Sequence, residues 1–158
     1  MIESILAKSL ENGGDTLIEH SKKTCDNALK LAKKLTDNKR ILSLVCLSAL
    51  FHDLGKANLD FQKILKNGFF GEIDHGVLSV FWFNKFVSIK DLNESNLENG
   101  LYRSMVYHHP LRHDIDCDKL SEVDSKDAYE IAKVLVDYYN SLGLGGYTLE
   151  IKEDCDDD

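Results

Sequence analysis

The sequence predicts an all-α helical bundle of about five to seven helices, and three observations point there. The chain holds a single proline, Pro110, and no run of apolar–polar alternation long enough for a strand ladder. Residues 16–36 repeat small or apolar side chains at Cys25, Ala28, Leu29, Ala32 and Leu35, the stripe of a 3.6-residue period, with Thr36-Asp37-Asn38 closing the segment. Residues 40–54, RILSLVCLSALFHDL, are apolar on nearly every side, which marks a helix buried at the centre of a bundle, with Gly55 placed to end it.

The remaining elements follow in order. Residues 58–66 predict a short helix, and Asn67, Gly68 and Gly71 a loop. A helix starts near His75, capped by Asp74, and carries Val77, Leu78, Val80, Phe81, Trp82 and Phe86. Residues 88–100, with three asparagines and a glycine, are expected as a loop, overlapping the start of a helix over about 97–109. That helix must stop before Pro110, because the residue ahead of a proline is driven out of the α region. An amphipathic helix spans roughly 122–141. Residues 1–145 are expected to form one domain, and 146–158 a Gly-rich break followed by an acidic C-terminal tail with room for a short extended piece.

With 158 residues the chain is the size of one domain with one core. No apolar run approaches the roughly 18 residues of a membrane-spanning helix. The opening MIESILAKSLENGG lacks the basic and apolar regions of a signal peptide, so a cytoplasmic protein is expected. Cys25, Cys46, Cys117 and Cys155 form no CxxC pair; Cys25 and Cys46 sit in helical apolar patterns and are expected as reduced core residues. The formal charge is −8, much of it from five acids within residues 153–158. This is not a basic surface that grips nucleic acid by neutralising phosphates, so a polynucleotide substrate would need bound metal and a partner protein.

The chemistry concentrates in histidine. Of six histidines, five fall at or near predicted helix ends: His20, His52, His75, His108 and His109. Several helices of a bundle can there aim side chains into one pocket. His52-Asp53 closes the most apolar helix, where an ionised carboxylate beside an imidazole is costly unless compensated. A divalent cation compensates both, since neutral imidazole and carboxylate are each metal ligands. A plain His–Asp hydrogen bond at a helix end is the competing explanation for that pair, and capping or solvation for each lone histidine. His113, in the polar run Arg112-His113-Asp114, is expected in solvent.

The ordered set His20, His52-Asp53, His75, His108-His109 resembles the HD superfamily of metal-dependent phosphohydrolases, with HDLGKA at 52–57 as the core motif. More narrowly, ILAKS at 5–9, TLIEHS at 16–21, DHGVLSV at 74–80 and YHHP at 107–110 resemble the HD nuclease of type I CRISPR interference, which works with a DNA helicase. The resemblance implies an HD-type helical bundle with two divalent ions between its helices. His20, His52 and Asp53 would hold one ion and His75, His108 and His109 the other, with Asp53 bridging; Asp53 and Lys56 would be the catalytic residues, Lys56 near the substrate phosphate. Otherwise Lys56 is a solvated lysine past a helix end. The family closes the first metal site with a late aspartate, and VLVDYYNS at 134–141 nominates Asp137. The helical wheel sets Asp137 opposite the apolar face of Ala128, Ile131, Ala132, Leu135 and Tyr139, while Asp124 lies nearer that face but outside the motif.

An imidazole-rich set suits Mn, Fe, Co, Ni or Zn better than Mg, although Mg and Mn are usual for the family. No GxSxG or P-loop offers a different chemistry. The expected function is metal-dependent hydrolysis of phosphodiester bonds in single-stranded DNA, with RNA as a further substrate, in CRISPR antiviral defence. The expected partners are single-stranded nucleic acid, the CRISPR helicase and its effector complex, with no membrane. The alternatives are an HD phosphohydrolase acting on a nucleotide or small phosphate ester, and a degenerate, non-catalytic HD interaction module.

Overall fold

Thr16 and Glu19 fix where the first long helix begins. The Thr16 hydroxyl accepts from the Glu19 amide at 3.3 Å, and the Glu19 carboxylate accepts from the Thr16 amide at 3.4 Å, so two end donors are satisfied reciprocally. The computed structural model describes residues 2–9, 12–67, 74–92, 95–109 and 117–153. From this cap α1 runs Leu17–Ala32 and buries Leu17, Cys25 and Leu29. It stops short of the expected stripe, for the chain tightens into i→i+3 bonds beyond Ala32 and leaves Leu35 87% exposed. Asn38, expected to close that segment, instead opens α2 (Lys39–Phe51), its side-chain oxygen accepting from the Arg40 and Ile41 amides.

Helix α2 buries Leu42, Cys46, Leu47, Leu50 and Phe51, but not on every side: Ile41 is 44% exposed and Leu44, Val45 and Ala49 are only half-buried. The expectation for Cys25 and Cys46 is corrected in one respect. Both are fully buried, yet they are bonded to each other, with Cα atoms 4.9 Å apart. The two cysteines stand equally far from the turn between α1 and α2, and a helical hairpin brings such positions to the same level.

A 3-10 turn, Leu54–Ala57, leads into α3 (Leu59–Asn67), and α4 (His75–Phe86) starts on the Asp74 cap, whose Oδ1 accepts from the Gly76 amide at 2.9 Å. Helices α5 (Ser95–Val106), α6 (Cys117–Ser121) and α7 (Lys126–Ser141) complete the bundle. Trp82, Phe83 and Phe86 of α4 pack in one core with Phe51 and with Ile131, Leu135 and Tyr139 of α7. The fold is thus mostly helical, as predicted. Among the described residues no helix is long and apolar enough to cross a membrane.

Of two short strands, the first departs from the expectation and the second is the short extended piece allowed after residue 145. β1 (Val87–Lys90) follows α4 directly and pairs antiparallel with β2 (Thr148–Ile151), Val87 opposite Ile151 and Lys90 opposite Thr148. Residues 88–90 are therefore strand rather than loop. The segment from 146 onward is tied to the bundle at least to residue 151, with Tyr147 and Leu149 buried. Asn140 at the end of α7 clamps this return, bonding the Leu149 amide and carbonyl at 3.2 and 3.0 Å. Four-residue strands carry too little alternation to be read from sequence, and each lacks its partner until the chain folds.

Gly55 does not end α2, which stops at Phe51; its role is close approach. A Cβ there would lie 2.1 Å from the carbonyl oxygen of His75, so only glycine lets the start of α4 lie against the 54–57 turn. Gly55→Ala is expected to lower stability by about 1–3 kcal/mol by overpacking, seen as a thermal midpoint several degrees lower; an unchanged midpoint would show that α4 can shift freely.

Candidate metal centre

Each functional side chain reaches the centre because a helix begins or ends beside it. The Thr16–Glu19 cap sets His20 in the first turn of α1. His52 is the C-cap of α2, and Asp53 leaves the helix at φ −105°, ψ 6°, so the chain turns away while both side chains enter one pocket. His75 is the first residue of α4, and His108-His109 follow the last turn of α5. Gly76 keeps those two ends together, since a Cβ would stand 2.9 Å from the Val106 carbonyl oxygen.

At the centre is Asp53, 1% exposed. Its Oδ2 lies 3.3 Å from Nε2 of both His20 and His52 and 2.6 Å from Lys56 Nζ. Its Oδ1 lies 3.4 Å from Nε2 of His75 and 3.3 Å from Nε2 of His108. His75 and His108 face each other Nε2 to Nε2 at 3.1 Å. Two triads result, His20–His52–Asp53 and His75–His108–His109, each with ligand atoms within 4.8 Å of one another and able to hold a metal ion. These are the groupings that the HD resemblance implies.

The donor set fits divalent metal on electrostatic grounds. Burial pushes the Asp53 carboxyl up, but the imidazoles of His108, His20, His52 and His75 gathered on it outweigh burial and hold it far below the usual carboxylate range. His52 Nδ1–H donates to the Ala49 carbonyl at 2.8 Å and His108 Nδ1–H to the Met105 carbonyl at 2.6 Å, which fixes the proton on Nδ1 and leaves Nε2 turned inward. When these rings are neutral, each aims a lone pair at the carboxylate. Asp53 Oδ1 is buried and receives no hydrogen bond from either neighbour. Cations between the rings and the carboxylate remove both conflicts. His109, on the exposed side, has its pKa lowered, first by burial and then by His108, His75 and Lys56, against a smaller opposing effect of Asp53. The neutral ring keeps a lone pair for a ligand.

Lys56 is not a solvated lysine: its side chain is 12% exposed, and its ammonium binds Asp53 and, at 3.3 Å, the Ala7 carbonyl. Asp137 joins neither triad. It is exposed on the outer face of α7, opposite Ile131 and Leu135, where the helical wheel sets it. Asp124 is also exposed and accepts from the Lys126 amide at 3.0 Å. His113 lies outside the described residues.

Sequence reasoning missed two supporting residues. Gln62 of α3, buried, exchanges amide hydrogen bonds with Leu6 (2.9 and 2.8 Å) and donates to the Lys56 carbonyl at 2.7 Å, so it locks the ILAKS segment onto the turn that carries Lys56. Ser79 Oγ accepts from the Gly55 amide and donates to the His75 carbonyl, both at 2.7 Å, joining the Asp53 turn to α4. A glutamine one turn into a short helix gives no signal in a single sequence. Ser79 is one helical turn beyond His75, and that spacing was its only clue.

A helical bundle whose helix ends converge on one buried carboxylate and five imidazoles defines a metal-dependent hydrolase class. The HD domain family matches residues 17–142, and the chain belongs to that family, whose members are metal-dependent phosphohydrolases. No curated protein and no solved structure matches the chain.

Asp53→Ala is expected to strip bound Mn²⁺ or Ni²⁺ from the purified protein, measured by elemental analysis after gel filtration, because it removes a member of one triad that also touches the other. Asp137→Ala is expected to keep the wild-type metal content; loss of an ion in that variant would place its carboxylate in the centre.

Proposed function

We propose that the chain is a metal-dependent nuclease that hydrolyses phosphodiester bonds of single-stranded DNA, in the manner of the HD nuclease of type I CRISPR interference, with a helicase as its partner. The observation that carries phosphodiester hydrolysis is Asp53 touching both triads at once, one oxygen toward His20 and His52, the other toward His75 and His108. The narrower reading is supported by the ILAKS segment. Its Leu6 pairs with Thr16 as an isolated bridge, with Leu6 bound to Gln62 and Ala7 to Lys56, so the motif abuts the centre instead of trailing from it.

His20, His52 and Asp53 would hold one divalent ion and His75, His108 and His109 a second. When bound, such ions make water a stronger nucleophile at neutral pH and neutralise charge on the phosphate. The chain's own groups do the rest. Asp53 orients four rings, and the carbonyls of Ala49 and Met105 fix the tautomers of His52 and His108. Lys56 brings a cation beside the carboxylate, within reach of a phosphate oxygen. Hydrolysis adds water across one P–O bond, leaving one phosphomonoester and one hydroxyl end. No nucleophilic side chain is required, because phosphoryl transfer asks mainly for positioning and charge stabilisation.

The formal charge of −8 favours a second reading, hydrolysis of a nucleotide or small phosphate ester, since an acidic surface hinders such a substrate less. Incubation with Mn²⁺ separates the two. The nuclease reading expects cutting of a linear or circular single strand, abolished by chelator; turnover confined to mononucleotides would overturn it. His108→Ala is expected to keep the fold, by circular dichroism, and lose turnover by at least about a hundredfold; a wild-type rate would remove the second triad from the reaction.

A further inference from the structure

Helix α2 is left bare along one side, and a groove of about 520 Å³ runs there between α1 and α5. Leu44 and Val45 form its floor, Ala28 one wall, Leu97 and Leu101 the other. Its inner end is His52 and His108, the two histidines whose Nε2 atoms face Asp53 from opposite triads. The groove therefore shares His52 and His108 with the metal centre and opens beside it.

Among the described residues its lining has no lysine, arginine, aspartate or glutamate. The hydroxyls within it are engaged: Thr24 donates to the His20 carbonyl at 2.8 Å, Ser104 to the Leu101 carbonyl at 2.6 Å, and Ser48 lies 2.6 Å from Ser104. Apart from the Asn96 amide the walls thus present mainly carbon, and they give a polyphosphate or free sugar phosphate little to hold. At the lip stands Gly100, inside α5, where a Cβ would meet nothing within 4 Å. Alanine would make a firmer helix at that point, so glycine there costs stability and leaves the groove wide.

Resting on the nuclease reading above, we propose that this groove takes the base and sugar of the nucleotide adjoining the scissile phosphate. A chain of charge −8 draws little affinity from phosphate neutralisation. Burial of a base against apolar walls supplies affinity from another source, and it is indifferent to sequence because every base has an apolar face. The groove positions the strand so that its backbone turns over His52 and His108.

The test compares two substrates with Mn²⁺ present: a single-stranded oligodeoxynucleotide and dimethyl phosphate, followed by methanol release, which carries no ring to place in the groove. For Gly100→Leu, and separately Ile41→Trp at the groove mouth, the ratio of strand cleavage to ester hydrolysis is expected to fall at least about tenfold. A loss of folded protein lowers both rates alike and leaves the ratio unmoved. Anisotropy of a labelled strand in chelator should show correspondingly weaker binding. Replacing the bases by abasic sites should slow the wild type and have little further effect on Gly100→Leu. A ratio within about twofold of wild type in both variants, or equal wild-type rates on abasic and normal strands, would overturn the assignment while leaving the nuclease reading intact. Preference for a long-chain alkyl phosphodiester over the strand would overturn it too, giving the groove to an aliphatic group. A wild type inert on both test substrates would instead defeat the nuclease reading, and this assignment with it.

Discussion

A buried carboxylate among imidazoles is the constraint on which this structure depends. Taking an isolated carboxylate into a protein interior costs several kcal/mol even after relaxation, and Asp53 is almost wholly enclosed. The compensation is assembled from four separate places along the chain. His20 comes from the start of α1, His52 from the end of α2, His75 from the start of α4 and His108 from beyond α5. No pair of these helices would hold its place around the carboxylate unless the others also did. The centre is thus a tie between helices as well as a site, and its gathered imidazole nitrogens and carboxylate are donors that could hold divalent cations.

The surrounding architecture serves that convergence. Glycine at 55 and 76 removes the Cβ atoms that would part α4 from the Asp53 turn and from the end of α5. Ser79 and Gln62 then fasten the same regions by hydrogen bonds, one inside the bundle and one to the N-terminal segment. The Cys25–Cys46 bond fastens α1 to α2 in the core, and their turns deliver His20 and His52 to the same oxygen of Asp53. Rigid support around a reacting centre is what phosphoryl chemistry needs, since small misplacements of charge weaken it steeply.

Charge and shape divide the work of substrate recognition in a way the acidic surface makes necessary. A protein of net charge −8 does not attract a polyanion from afar. Among the described residues at the centre, Lys56 brings a positive charge directly beside Asp53. The adjoining groove between α1 and α5 is apolar, so cations at the centre and apolar walls beside it suit a ligand that carries a phosphate next to an apolar body.

Sequence by itself determined the helical class, the capped start at Asp74, and the ordered histidines with Asp53, because these are written in local periodicity, turn chemistry and spacing. It also placed Asp137 on the outer face of its helix, although the motif pointed inward, since a helical wheel depends only on neighbours within the element. Tertiary structure alone decided the rest. The β1–β2 pairing, the Cys25–Cys46 bond, the Lys56–Asp53 contact, the Gln62 clasp and the open side of α2 each join residues whose proximity arises only when distant segments pack. Gly55 illustrates the difference: its neighbours in sequence suggest a helix stop, while its neighbour in space, the His75 carbonyl, supplies the reason for glycine. Local rules fix what an element is; which side chain meets which is set by the packing of all of them at once.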